Sequence, residues 1–285
     1  MVWLLTGVEL EGILNLKRFI PKPAKTALKN LYFGVMDLTD SSERKRDMLP
    51  PRRMRFVGDG DYKGTGFKFR EMFIQYGGLK PEYSVLDVGC GIGRMAVPLT
   101  GYLRGEYRGF DIVKMGPDWC TKNVTPRFPN FQFNHADIRN SMYNPSGRFE
   151  ASSYKFPYED ETFDFVFLTS VFTHMMPLDV ENYLSEISRV MKKGGTCFIT
   201  MFLLNDESKQ LIAENKSSQQ ISHSLQGFSV KDPSEPEGTV GLDESYIRSL
   251  YPTKGLSIID EIHFGSWCGR KDFLSYQDVV VARKI

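Results

Sequence analysis

The chain has 285 residues, 41% of them hydrophobic, enough for one substantial core with appendages. With 36 Lys and Arg against 35 Asp and Glu, its formal net charge is +1. That balance supplies no global attraction toward nucleic acid or acidic surfaces.

Residues 1–55 read as a helical N-terminal extension with an excess of five positive charges, and the remainder carries an excess of four negative ones. Met1 to Val8 is apolar but is interrupted by Glu9 and Glu11. It has no basic lead and no small-residue cleavage site, so it reads neither as a signal peptide nor as a membrane span. Leu28, Leu31, Tyr32, Val35 and Met36 share one helical face, with Lys22, Lys25 and Lys29 nearby. Such a helix can make a peripheral contact with an anionic membrane. Packing on the catalytic domain, covering the substrate, is the favoured alternative.

Residues 56–285 form the second division. A lead-in with glycines at 58, 60, 64 and 66 precedes a helical run from Phe67 to Tyr76. Val85, Leu86 and Val88 then make a short apolar strand that opens into Gly89-Cys90-Gly91-Ile92-Gly93-Arg94, followed by the helical pattern Met95, Ala96, Val97, Leu99. Glycine in such a turn lets a ligand lie against bare backbone and permits positive φ. A dinucleotide fingerprint would place its third glycine at Arg94; here it comes one residue early, at Gly93. Asp87, two residues before the first glycine, suits a ligand with a positive end, such as an amino-acid ammonium. Cys90 reads as a small side chain tolerated beside the ligand.

This segment resembles the first motif of class I S-adenosylmethionine-dependent methyltransferases, Asp/Glu-x-Gly-x-Gly-x-Gly. The resemblance implies S-adenosyl-L-methionine as cofactor, lying against Asp87, Gly89, Cys90, Gly91 and Gly93. A second strand, Tyr107 to Val113, carries Asp111 about 20 residues after the glycines, placed to accept hydrogen bonds from ribose hydroxyls. Ile112 beside it joins the same site. A third, Phe131 to Ile138, closes on Asp137, and the family pattern implies that Asp137 and Ile138 meet the adenine amino group and ring face. Phe163 to Ser170 is a fourth strand, whose end at Thr169 and Ser170 the family places at the cofactor. Lys192-Lys-Gly-Gly to Phe202 resembles the family's Lys-Pro-Gly-Gly turn and fifth strand, with Lys193 in place of proline.

Between Asn205 and Thr253 the sequence turns polar, with Lys216 to Gln220 and Asp232 to Gly238 reading as loop. The insert 205–253 is expected to be a mobile lid anchored by a helix starting near Asp243, an N-cap residue, with Tyr246, Ile247 and Leu250 on its apolar face. Two β-rich runs, Leu256–Phe264 and Tyr276–Ala282, close the chain. The match implies an α/β, Rossmann-like seven-stranded sheet with an antiparallel terminal strand and helices on both faces.

Methyl transfer from a sulfonium needs alignment, exclusion of water and, for a hydroxyl acceptor, a base. His174, just beyond the fourth strand, titrates near neutrality and is the candidate base; ordering the loop is its other reading. His263, Trp267, Cys268 and Arg270 fall in or beside the last hairpin loop, which faces substrate in the family. There Trp267 could stack on a sugar or ring and Arg270 could hold an anionic group. The cysteines Cys90, Cys120, Cys197 and Cys268 include no C-x-x-C pair, which argues against a metal site and a disulfide framework and suits the cytoplasm.

No Asp/Asn-Pro-Pro-Tyr/Phe or Cys-Pro pair is present, and no aromatic-basic platform for nucleic acid. What remains is a small molecule, a sugar or a lipid-linked acceptor, and Ser170 to His174 with Tyr276 to Arg283 looks like bacterial methyltransferases acting on small molecules and surface glycans. O-methylation is the expected reaction. N-methylation of a small molecule and a non-catalytic, cofactor-binding or membrane-docked partner protein are the alternatives.

Overall fold

A computed structural model describes residues 33–34, 36–37, 41–56 and 61–285. Two compact units are present, Met1–Phe56 and Val57–Ile285. In the first, helix α1 (Ser41–Arg46) is followed by a 3-10 turn at Arg52–Met54. Buried Asp37 accepts a hydrogen bond from the Arg52 amide at 2.9 Å and lies 3.6 Å from the Arg44 guanidinium. The amphipathic helix expected around Leu28 to Met36, and the membrane contact with it, lie largely outside the described residues. Among the described residues no helix is long and apolar enough to cross a membrane.

The second unit is built on a seven-stranded sheet of order β10-β11-β5-β4-β1-β2-β3. Its strands are β1 (Val85–Val88), β2 (Tyr107–Asp111), β3 (Phe131–His135), β4 (Phe163–Leu168), β5 (Met191–Met201), β10 (Leu256–Ile258) and β11 (Asp278–Lys284). β11 runs antiparallel between β5 and β10, and the β1–β5 pairings are parallel. All four residues of β1 are buried, as a strand covered on both faces requires. Alternation divides the core: Leu86, Val88, Val166 and Leu168 pack on one face, Val85, Phe165 and Phe167 on the other.

Helix α2 (Tyr62–Gln75) covers the second face. Its Phe73 ring sits 4.4 Å from Phe167 and 5.0 Å from Phe198, the latter edge-on. Helix α3 (Ala96–Leu99) and helix α4 (Met115–Asn123) follow β1 and β2. Helix α5 (Pro177–Val190) covers the first face with Val180, Leu184 and Ile187, spaced four and three residues apart. Proline opens that helix, and Asp179 accepts from the Met176 amide at 3.1 Å.

The insert departs from its loop-like composition. It carries helix α6 (Asp206–Ala213), β7 (His223–Leu225), β8 (Phe228–Val230), β9 (Val240–Asp243) and helix α7 (Glu244–Thr253), and its strands join β6 (Leu203–Leu204), just before it, in a second sheet of order β6-β9-β8-β7. Its strands are two to four residues long, too short for a period to show. Asp243 does precede α7, but makes no side-chain cap and pairs with Lys209 at 3.0 Å. The run from Leu256 ends as a strand at Ile258, and Asp260 turns with φ +61°.

Candidate active site

The turn after β1 is assembled from four directions. Gly89, Gly91 and Gly93 have φ of +82°, +54° and +82°, a region costly for any side chain. The Gly89 and Cys90 amides donate to the Phe110 carbonyl on β2, at 2.9 and 3.0 Å. A Cβ on Gly89 would meet Val171, just beyond β4, at 2.4 Å, and one on Gly93 would meet Cys120 Sγ at 2.8 Å. Two further glycines, absent from the sequence reading as site residues, admit neighbouring helices. A Cβ on Gly116 of α4 would lie 2.1 Å from the Gly91 carbonyl oxygen, and one on Gly66 of α2 would lie 2.3 Å from that of Arg94. Tyr62 Oη donates to the Ile92 carbonyl at 2.8 Å.

Three strand-end carboxylates accompany this turn on the adjacent strands β1, β2 and β3. Asp87 is fully buried; Oδ2 accepts from the Tyr107 hydroxyl, and Oδ1 has no hydrogen-bond partner among the described residues. Burial pushes its carboxyl up to about 8, against the Tyr107 hydrogen bond, with nearby Asp111 adding to the rise. Asp111 Oδ2 accepts from the Gly91 amide and Oδ1 from the Val113 amide, both at 2.7 Å. Burial raises it to about 6 despite those bonds. Asp137, two residues beyond β3, accepts from Arg148 at 2.7 Å and Asn144 at 3.2 Å, and the Arg148 bond holds it below its usual range.

These residues fit the expected cofactor. An orphaned buried carboxylate oxygen beneath the turn and acidic ends on three successive strands suit a ligand with cationic groups and ribose hydroxyls, and oppose a polyphosphate. Ile112 is half-buried beside Asp111, and Thr169 and Ser170 are half-buried at the end of β4. Ile138 is corrected: it is 1% exposed and packed in the core, so its side chain offers no face to an adenine ring. Burial, then the Asp87 and Asp111 charges, push the Cys90 thiol well up, leaving it a neutral packing group.

Ser170 takes φ +63°, a conformation that costs a non-glycine residue about 1–3 kcal/mol. A polar relay holds it. Its amide donates to Thr200 Oγ1 at 2.8 Å, and Thr200 Oγ1 and Ser170 Oγ donate to Gln277 Oε1 at 2.6 and 3.0 Å. Thr200 lies at the end of β5 and Gln277 just before β11, so three chain segments meet there.

His174 ends a 3-10 turn, Phe172–His174, that follows β4. Its Nδ1 lies 3.0 Å from the Glu237 carbonyl oxygen, its Nε2 lies 3.4 Å from the Tyr143 hydroxyl, and the two rings stand edge-on at 5.1 Å. Desolvation lowers its pKa, against the Glu237 and Gly238 carbonyls, which favour the charged form. The ring is therefore neutral at pH 7. A neutral imidazole whose Nδ1–H donates to a carbonyl carries its lone pair on Nε2. Tyr143 and Glu237 escaped the sequence reading because they stand 31 and 63 residues from His174.

Trp267 and Arg270 are corrected as substrate residues. Trp267 is fully buried and its Nε1 donates to Asp278 Oδ2 at 2.8 Å. The Arg270 guanidinium, only 5% exposed, donates to Glu207 at 2.7 Å, Asn205 at 3.1 Å and Asp278 at 3.3 Å. Asp278 also accepts from the Gly265 and Leu203 amides, both at 2.6 Å. The cluster ties the last hairpin to β6 and α6, leaving neither side chain a face for ligand. His263 stacks edge-on against Tyr76 at 4.8 Å.

The family described as "Methyltransferase domain" matches residues 86–199. Over 160 residues, 54% of the chain, it is 26% identical to sterol 24-C-methyltransferase erg6 of Schizosaccharomyces pombe, covering 38% of that protein. Over 157 residues, 52% of the chain, it is 26% identical to the tRNA N(3)-cytidine methyltransferase METTL2 of Gallus gallus, covering 36%. The chain thus spans under two fifths of the length of either relative. Among solved structures, a SAM-dependent methyltransferase from Methanosarcina mazei superposes with a TM-score of 0.52 at 21% identity, over 74% of this chain and 97% of that one.

Proposed function

We propose that this chain, whose residues 86–199 match the methyltransferase domain family, is a class I S-adenosylmethionine-dependent methyltransferase that methylates a hydroxyl oxygen on a small molecule, a sugar or a lipid-linked acceptor. S-adenosylmethionine is the cofactor; when bound, it supplies a methyl group already activated by its positive sulfur. The chain's own work is to hold that cofactor, align the acceptor, exclude water and remove the acceptor's proton. Asp87 and the glycine turn face its cationic end, Asp111 its ribose and Asp137 its adenine.

The observation that carries the oxygen acceptor is His174. Its neutral ring offers Nε2 as a proton acceptor just past β4. A hydroxyl must lose its proton during transfer, whereas a neutral amine can lose it afterwards to water. The relatives are named for carbon and cytidine acceptors, so the fold alone does not choose the atom.

Turnover of methyl-labelled donor against a panel of alcohols, sugars and amines tests the proposal. Hydroxyl compounds are expected to be labelled, and His174→Ala to lower turnover about 10²–10⁴-fold with cofactor affinity retained. Label appearing only in amines would overturn the oxygen assignment. Cofactor binding without turnover of any acceptor would favour the non-catalytic alternative.

A further inference from the structure

Two separate segments converge on His174. From the loop after β3, Asn140 Nδ2 donates to the His174 carbonyl at 3.2 Å and Tyr143 faces Nε2. From the insert, the Glu237 carbonyl accepts from Nδ1 at 3.0 Å. The Glu237 side chain engages the loop after β3: its Oε2 accepts from both the amide and the hydroxyl of Ser141. Glu237 therefore links the imidazole to the loop after β3, through its main-chain carbonyl to the ring and its carboxylate to Ser141.

This arrangement has a chemical consequence. A carbonyl opposite Nδ1 can only accept, so Nδ1 keeps its proton whether the ring is neutral or charged. Nε2 is then the one position that gains or loses a proton, and it faces a hydroxyl, which can donate to it. In water a free imidazole side chain favours the opposite tautomer, with the proton on Nε2, which is useless as a base at that atom. The groups facing the ring are the Glu237 and Gly238 carbonyls, the Glu237 carboxylate and Tyr143. The Glu237 charge also contributes to raising Asp179 on α5. None of these facing groups is a cation that would oppose protonation.

We infer that Glu237 is a positioning residue: by seating the β8–β9 loop on Ser141, it places a carbonyl on Nδ1 and makes Nε2 of His174 the base. The inference deepens the base role proposed above and rests on it. The acceptor hydroxyl takes the place of the Tyr143 hydroxyl at Nε2 and gives its proton to that nitrogen; with the cofactor bound, the oxygen–methyl bond would form as the methyl–sulfur bond breaks, the electron pair staying on sulfur and S-adenosylhomocysteine leaving. The insert thus contributes to catalysis without touching the reacting atoms, in the way that a second partner orients a catalytic histidine.

The test reads the tautomer directly, with the full chain labelled in histidine ¹⁵N. In the wild type, His174 is expected as the Nδ1–H form, titrating below the ordinary histidine range. The Lys231 amide already donates to the Thr239 carbonyl at 3.1 Å, so residues 232–238 can be replaced by Asn-Gly, a two-residue hairpin turn. That variant should lower the ratio of Nδ1–H to Nε2–H about tenfold, the scale of one lost hydrogen bond, and raise the titration midpoint. Glu237→Ala keeps the loop but frees it from Ser141, and should shift the ratio in the same direction by a smaller factor; it decides the matter if the shortened hairpin does not fold. An Nε2–H wild type, or an unchanged tautomer in the folded variants, would overturn the inference. Calorimetry with S-adenosylhomocysteine on the same samples separates the two readings, because absent binding defeats the methyltransferase reading whatever the tautomer.

Discussion

The Gly91 amide donates to Asp111 Oδ2 across 2.7 Å, so the carboxylate proposed to hold ribose is also a structural part of the turn. Replacing Asp111 with alanine should therefore do two things at once. Cofactor affinity should fall about ten- to a hundredfold, the loss of hydrogen bonds to a charged acceptor. The unliganded protein should also melt at a lower temperature. Calorimetric titration and thermal scans measure both, and wild-type affinity in the variant would remove the ribose assignment.

Protonation gives a second expectation. Burial raises Asp87 to about 8 and Asp111 to about 6, from ordinary values near 4. The folded, unliganded protein thus binds more protons than the unfolded chain between those limits. The stability these carboxyls contribute is full below about pH 4 and is lost as pH rises through 6 and 8. A cationic cofactor favours their ionised forms, so its binding releases protons and its affinity should rise from pH 6 to 8. S-adenosylhomocysteine, lacking the sulfonium charge, should show a shallower rise. Asp87→Asn should flatten both dependences; an affinity that falls with pH would contradict this account.

Ser170 separates backbone strain from side-chain bonding. Ser170→Ala keeps the φ of +63° and loses the Oγ bond to Gln277, which should cost about 1 kcal/mol. Ser170→Gly loses the same bond but relieves the strain. Urea denaturation should therefore rank glycine as the more stable of the two variants. The reverse order would show that strain at this residue is negligible.

Trp267 and Arg270 should behave as packing residues. Trp267→Ala should cost about 3–5 kcal/mol, as for other buried aromatics. Arg270→Ala leaves Asp278 buried without its cation and should destabilise the fold by about 3–5 kcal/mol. If the Arg270 variant kept wild-type stability and only the acceptor KM rose, the substrate role would be restored.

Much of this protein was legible in its residues alone. The early third glycine and the acid at Asp87 follow from spacing within one strand, turn and helix, where covalent geometry sets what can lie together, and Asp111 and Asp137 were marked by their places at the ends of the next two strands. Strand and helix periods in the sheet region are likewise local; the seven-stranded sheet with its antiparallel terminal strand was implied by the family resemblance, and its strand order is a property of the fold. Tertiary structure alone decided which chemically able side chains reach a ligand. Trp267 and Arg270 have the right chemistry, but Asp278 draws them inward, because a buried carboxylate must be hydrogen-bonded. Gln277 meets Thr200, Tyr107 meets Asp87 and Glu237 meets His174 across 77, 20 and 63 residues. No period or motif encodes such pairs; they exist because adjacent strands and a folded-back insert bring distant segments to one edge of the sheet.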